Sequence, residues 1–84
     1  MKYTANVFVT LKEGVLDPQG GAVVNSLHTL GYSEVEEVRV GKYMILDLEA
    51  DDIETAKVRV DEMCNRLLAN TVIEDYKYEI KEVE

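Results

Sequence analysis

The feature that most constrains this chain is the order in which its hydrophobic period changes. Across residues 3–11 the side chains alternate, with Tyr3, Ala5, Val7, Val9 and Leu11 on one side and Thr4, Asn6, Phe8 and Thr10 on the other. A period of two, rich in β-branched residues, is the signature of a strand with one buried face. Lys12-Glu13-Gly14 breaks that pattern. Asp17-Pro18 then opens a helix, with Asp17 as N-cap and Pro18 at the first helical position, where its missing N–H is not needed. Val23, Val24, Leu27 and Leu30 follow at helical spacing, and Gly31 stands where a left-handed residue ends a helix. Gly20-Gly21 is poor helix material, about 1 kcal/mol each against Ala. The pair predicts a loose first turn or a close approach of other backbone.

Residues 35–49 read as a hairpin. Val38 and Val40 alternate before Gly41-Lys42, and Met44, Leu46 and Leu48 alternate after it. Gly first in a two-residue loop is the choice of a type II′ turn. Asp51-Asp52 caps a second helix, with its carboxylates at the positive end of the helix dipole. Its buried stripe is expected to be Ile53, Ala56, Val60, Met63 and Leu67, supported by Cys64 and Leu68, and Asn70 ends it. The last strand points Tyr76, Tyr78 and Ile80 inward and Lys77, Glu79 and Lys81 outward. The order βαββαβ predicts one α+β domain over residues 1–84: a ferredoxin-like layer with a four-stranded antiparallel sheet and both helices on one face.

That arrangement leaves the other sheet face open, carrying Thr4, Asn6, Phe8, Thr10, Arg39, Tyr43, Ile45, Lys77, Glu79 and Lys81. Phe8, Tyr43 and Ile45 form an apolar centre within a polar ring, which is how association surfaces are built. The plainer reading is three scattered exposed hydrophobes. An 84-residue chain buries a thin core, so covering further apolar area against a partner would stabilise it.

Charge narrows the partners. The net charge is −8, and all of it falls in residues 34–84, with fifteen acids against seven bases. Nucleic-acid binding calls for a basic face, so an RNA-recognition role on the open sheet is disfavoured. The amino terminus shows no apolar secretory segment, no run is long enough to span a bilayer, and one cysteine forms no internal disulfide. Together these point to the cytoplasm.

No constellation for chemistry emerges. His28 and Cys64 have no companions at metal-ligand spacing. Cys64 sits on an apolar stripe and reads as core. The paired carboxylates are explained by capping and by solvated faces, and neither Gly14 nor Gly20-Gly21 opens a P-loop. The residues alone leave two classes standing: a non-catalytic subunit of a larger assembly, and an ACT-like ligand-sensing regulatory domain binding at the loop from Glu13-Gly14 to Gly20.

Leu16-Asp17-Pro18-Gln19-Gly20, Leu30-Gly31-Tyr32, Val38-Arg39-Val40-Gly41-Lys42, and Leu67-Leu68-Ala69-Asn70 leading to Val72-Ile73-Glu74-Asp75-Tyr76 resemble, in that order, the PurS family. One departure is Thr71, where many members carry Pro after the Asn. The resemblance implies a small subunit of phosphoribosylformylglycinamidine synthase in purine biosynthesis. Such a subunit joins a PurQ-type glutaminase to a PurL-type synthetase and supports ammonia transfer between them. It further implies a homodimer or homotetramer, no catalytic residue and no cofactor on this chain, and ATP and Mg used by the complex. On that footing the homo-oligomer is expected to use Phe8, Tyr43 and Ile45. The larger subunits are expected to meet Arg39, Lys42, Asp17 and Gln19. Against this, Arg39 and Lys42 also read as solvated turn charges and Asp17 as a simple cap.

Overall fold

The structure, a computed structural model, describes residues 1–83. Its elements run β1 (Lys2–Leu11), α1 (Pro18–Thr29), β2 (Lys42–Glu49), α2 (Ile53–Met63), a π-helical turn (Cys64–Leu68) and β3 (Glu74–Val83). β1 is the middle strand of a three-stranded sheet ordered β2-β1-β3, antiparallel to both neighbours. The alternation of β1 is realised as read from its residues: Tyr3, Ala5, Val7 and Val9 are buried. The register sets Ala5 between Leu46 and Ile80, and Val7 between Met44 and Tyr78, so one face of all three strands is apolar.

α2 lies over β1 and β3. Asp52 starts it, its Oδ1 accepting from the Thr55 N–H at 2.7 Å. Ala56, Val60 and Cys64 are fully buried against the strand residues. The stripe then departs from the expected spacing. The Ala69 N–H donates to the Cys64 carbonyl at 3.0 Å, an i→i−5 bond that widens the last turn. The extra residue rotates the register, leaving Leu67 83% exposed and carrying Ala69 inside instead. Tyr76 braces this turn. Its hydroxyl donates to Asp61 Oδ1 at 2.8 Å and accepts from Asn65 Nδ2 at 2.7 Å.

The expected fourth strand is not formed among the described residues. Residues 35–40 pair with no strand, and the type II′ turn at Gly41-Lys42 does not occur: that turn needs positive φ at its glycine, and only Gly14 and Gly31 have it. Gly41 has another purpose. A Cβ there would stand 2.3 Å from the Val9 carbonyl oxygen, so the glycine lets the chain cross β1 closely on entering β2.

α1 begins and ends as expected. Asp17 caps it, Pro18 opens it, and a Schellman closure ends it, with Gly31 at φ 101. The Gly31 N–H donates to the His28 carbonyl at 3.1 Å and the Tyr32 N–H to the Leu27 carbonyl at 2.9 Å. What α1 does not do is cover the sheet. It makes no extended contact with any strand or with α2, and Gly20 is its only buried residue. Val23 and Leu30, expected on an inward stripe, are exposed.

Candidate functional site

No chemical centre assembles in the described residues. They contain no group of three His, Cys, Asp or Glu side chains able to hold a metal ion. His28 Nε2 lies 2.6 Å from the Val35 carbonyl oxygen, on the outside of the molecule. Cys64 is fully buried; burial, with the neighbouring Asp61 carboxylate, pushes its thiol pKa up and away from nucleophilic use. What the fold does build is two surfaces.

The first is the open sheet face. Phe8 and Tyr43 are cross-strand partners, and their rings stack at 5.0 Å with planes 19° apart. Lys77, opposite Phe8 on β3, places its Nζ 5.3 Å from the Phe8 ring centre. Tyr43 also donates through its hydroxyl to Asn6 Oδ1 at 3.1 Å, so the aromatic pair is held on both sides. Ile45 stands beside it, opposite Asn6 and 61% exposed. Thr4 Oγ1 donates to Asp47 Oδ1 at 3.1 Å on the same face. Phe8, Tyr43 and Ile45 are thus brought together as expected. Arg39 is not: it lies outside any strand, and its guanidinium donates to the Leu11 carbonyl.

The second surface surrounds the start of α1. Asp17 has two jobs here. Its Oδ1 accepts from the Gly20 N–H at 2.9 Å as an ordinary cap, and its Oδ2 accepts from the Val40 N–H at 2.8 Å, 23 residues away. These two backbone bonds hold its carboxyl below the usual range, assisted by the Arg39 charge and opposed by desolvation. Gly20 explains itself at the same point. A Cβ on it would stand 2.0 Å from the Val38 carbonyl oxygen, so only glycine lets α1 and the 38–40 segment meet. The carboxylate and the glycine together latch α1 to the chain just before β2.

Asp17, Gln19 and Lys42 line one cleft beside this latch, together with Glu74, whose carboxylate sits 3.6 Å from Lys42 Nζ. Arg39 lines the neighbouring depression, which shares Asp17. The four residues named from the sequence for contact with larger subunits are therefore neighbours. Gly20, Val38 and Val40, which position them, were missed as a unit. The only signal was the awkward glycine pair in a helix.

The family model for PurS, phosphoribosylformylglycinamidine (FGAM) synthase, matches residues 4–82. The Bacillus subtilis phosphoribosylformylglycinamidine synthase subunit PurS is 58% identical over 81 residues, covering 96% of this chain and 95% of that one. The Thermus thermophilus PurS structure superposes with a TM-score of 0.87 at 42% identity, over the full length of both chains. A chain in the structure of PurLQS from Thermotoga maritima superposes with a TM-score of 0.88 at 28% identity, covering 96% of this chain and 99% of that one. On the family match and these end-to-end similarities, the chain belongs to the PurS family.

Proposed function

We propose that this chain is the small adaptor subunit of a phosphoribosylformylglycinamidine synthase in cytoplasmic purine biosynthesis. In this reading it joins a PurL-type synthetase, which uses ATP and Mg, to a PurQ-type glutaminase, and supports the passage of ammonia between them. The observation that carries the proposal is the end-to-end match to a chain of the Thermotoga maritima PurLQS structure. The molecule's own physics is in keeping with it. Asp17 serves as cap and latch, while Tyr43 and Ile45 stand exposed on the open sheet face, where a partner would cover them.

In this reading the Phe8, Tyr43 and Ile45 face joins copies of the chain into a homo-oligomer. The cleft of Asp17, Gln19 and Lys42, with Arg39 beside it, meets the larger subunits. Helix ends and loop edges suit such contacts, because they change shape without disturbing a core.

The test mixes the purified chain with the synthetase and glutaminase subunits, glutamine and Mg-ADP, and resolves the mixture by size-exclusion chromatography. All three polypeptides should co-elute, and leaving this chain out of an ATP-containing assay should abolish glutamine-dependent product. Equal product formation without it would end the adaptor reading.

A further inference from the structure

The apolar stripe of α2 breaks off where one more turn would extend it. Ile53, Ala56, Val60 and Met63 share one side of the helix, and Leu67, four residues past Met63, falls on that side in an unbroken α-helix. In the structure Leu67 is instead 83% exposed, and Ala69 is buried in its place. Burying a leucine is worth more than burying an alanine, and the π-turn that makes the exchange is a rare form of helix, found mostly as single turns at functional sites. On apolar burial alone the α register wins. Other contacts hold the turn as it is.

Those contacts form a clamp reaching in from β3. The Tyr76 ring is fixed by stacking on Tyr78, with centroids 6.4 Å and planes 16° apart. Its hydroxyl donates to Asp61 Oδ1 at 2.8 Å, a bond strengthened by the carboxylate charge. Asn65 Nδ2 donates to the Tyr76 hydroxyl at 2.7 Å and reaches back to the Asp61 carbonyl oxygen at 3.1 Å. Asp61 and Asn65 stand one turn apart, so a single phenol fixes the turn in which the helix leaves α geometry. Leu67, displaced outward, stands at the lip of a groove of about 310 Å³ lined also by Leu46, Met63 and Leu68, all only partly buried.

We propose that Leu67 is a lid for this groove and that the Tyr76 clamp holds it open. The end of α2 then has two registers. In the π register, clamped, the groove is empty of Leu67; in the α register the Ala69 N–H moves from the Cys64 carbonyl to that of Asn65, and Leu67 turns in below Met63 and fills the groove. The opposing contributions are of like size: one leucine side chain buried in place of an alanine, against one charge-assisted hydrogen bond and its amide partner. A few atoms therefore decide the register, and whatever occupies the groove or draws on Asp61 selects between the two. The proposal concerns one chain alone and does not rest on the adaptor reading.

The test uses the isotope-labelled full-length chain and reads, by NMR, the scalar coupling that passes from the Ala69 N–H through its hydrogen bond to the accepting carbonyl carbon. In the unaltered chain that carbon belongs to Cys64. In Tyr76→Phe the coupling should run to Asn65, the ratio of registers moving at least about tenfold for the loss of one hydrogen bond to a charged group. The Leu67 methyl groups should at the same time lose most of their relaxation by a soluble gadolinium chelate. Adding Leu67→Lys to Tyr76→Phe should return the coupling to Cys64, because a charged side chain stays out of an apolar groove. Asn65→Ala, at an exposed position, should move the register in the same direction as Tyr76→Phe, and it decides the matter should Tyr76→Phe fail to fold. A coupling that stays wholly on Cys64 in the clamp variants, Leu67 methyl groups that remain exposed, or a double variant that keeps the α register would each overturn the proposal.

Discussion

Adding one methyl group to α1 should help at one position and harm at the next. Gly→Ala in a helix ordinarily stabilises it by about 1 kcal/mol, since the unfolded chain loses freedom and the helix gains a good former. At Gly21 a Cβ would meet nothing within 4 Å, so the full benefit is expected. At Gly20 it would meet the Val38 carbonyl oxygen at 2.0 Å and Asp17 Oδ2 at 2.8 Å. Ordinary contact begins near 3.4 Å, so the 38–40 backbone must retreat by about 1.4 Å, against the bond from Val40 to Asp17. Forcing backbone apart in this way costs about 1–3 kcal/mol. After subtracting the propensity gain, Gly20→Ala should weaken α1 by up to about 2 kcal/mol, while Gly21→Ala strengthens it by about 0.5–1 kcal/mol. Because α1 makes no extended contact with any strand or with α2, native-state hydrogen exchange of its amides reads this opening energy directly. The exchange should be measured at one protein concentration, since association shifts apparent stability. Protection should fall by up to about 30-fold in Gly20→Ala and rise a few-fold in Gly21→Ala. Equal protection in the two variants would refute the claim that Gly20 exists for the approach of Val38.

The remaining predictions concern the latch, the core and the open face. The Asp17 pKa is lowered in the folded chain, so its contribution is present above the ordinary carboxylate pKa and lost as pH falls through the lower folded value. Protection of the α1 amides, measured relative to their intrinsic exchange rate at each pH, should therefore fall below about pH 4, and Asp17→Ala should show the low protection already at neutral pH. Cys64, fully buried with a raised thiol pKa, should react with a thiol reagent at least ~100-fold more slowly in the folded chain than in urea; fast labelling of native protein would contradict its place in the core. Ile45→Asp should shift the elution volume to a smaller species without changing the circular dichroism, and an unchanged elution would remove the open face from the homo-oligomer.

Much of the molecule was legible before any coordinates, and the parts that were share a cause. The alternation of Tyr3, Ala5, Val7 and Val9, the Asp17-Pro18 start, the Gly31 exit, the Asp52 cap and the inward Tyr76, Tyr78 and Ile80 all rest on local chemistry: side-chain period, capping oxygens and glycine at positive φ. The open-face cluster follows from the same alternation once the strands are paired. The absence of a charged residue in α1 was equally visible, yet a one-dimensional stripe does not say whether its floor lies in the same chain.

Three features were decided only by tertiary structure. Gly41 admits two readings, a turn glycine or one that lets two backbones cross, and the nearness of the Val9 carbonyl chooses the second. The register of α2 is shifted by one residue at the π-turn, where Tyr76, Asp61 and Asn65 meet, so Leu67 faces outward although its spacing points inward. Asp17 looks like a cap and is also a tether, because its second oxygen reaches Val40 across 23 residues. Each is a contact between segments remote along the chain. Period and capping act within one or two turns of backbone, whereas the direction α1 takes is set by which distant carbonyl and carboxylate it must satisfy.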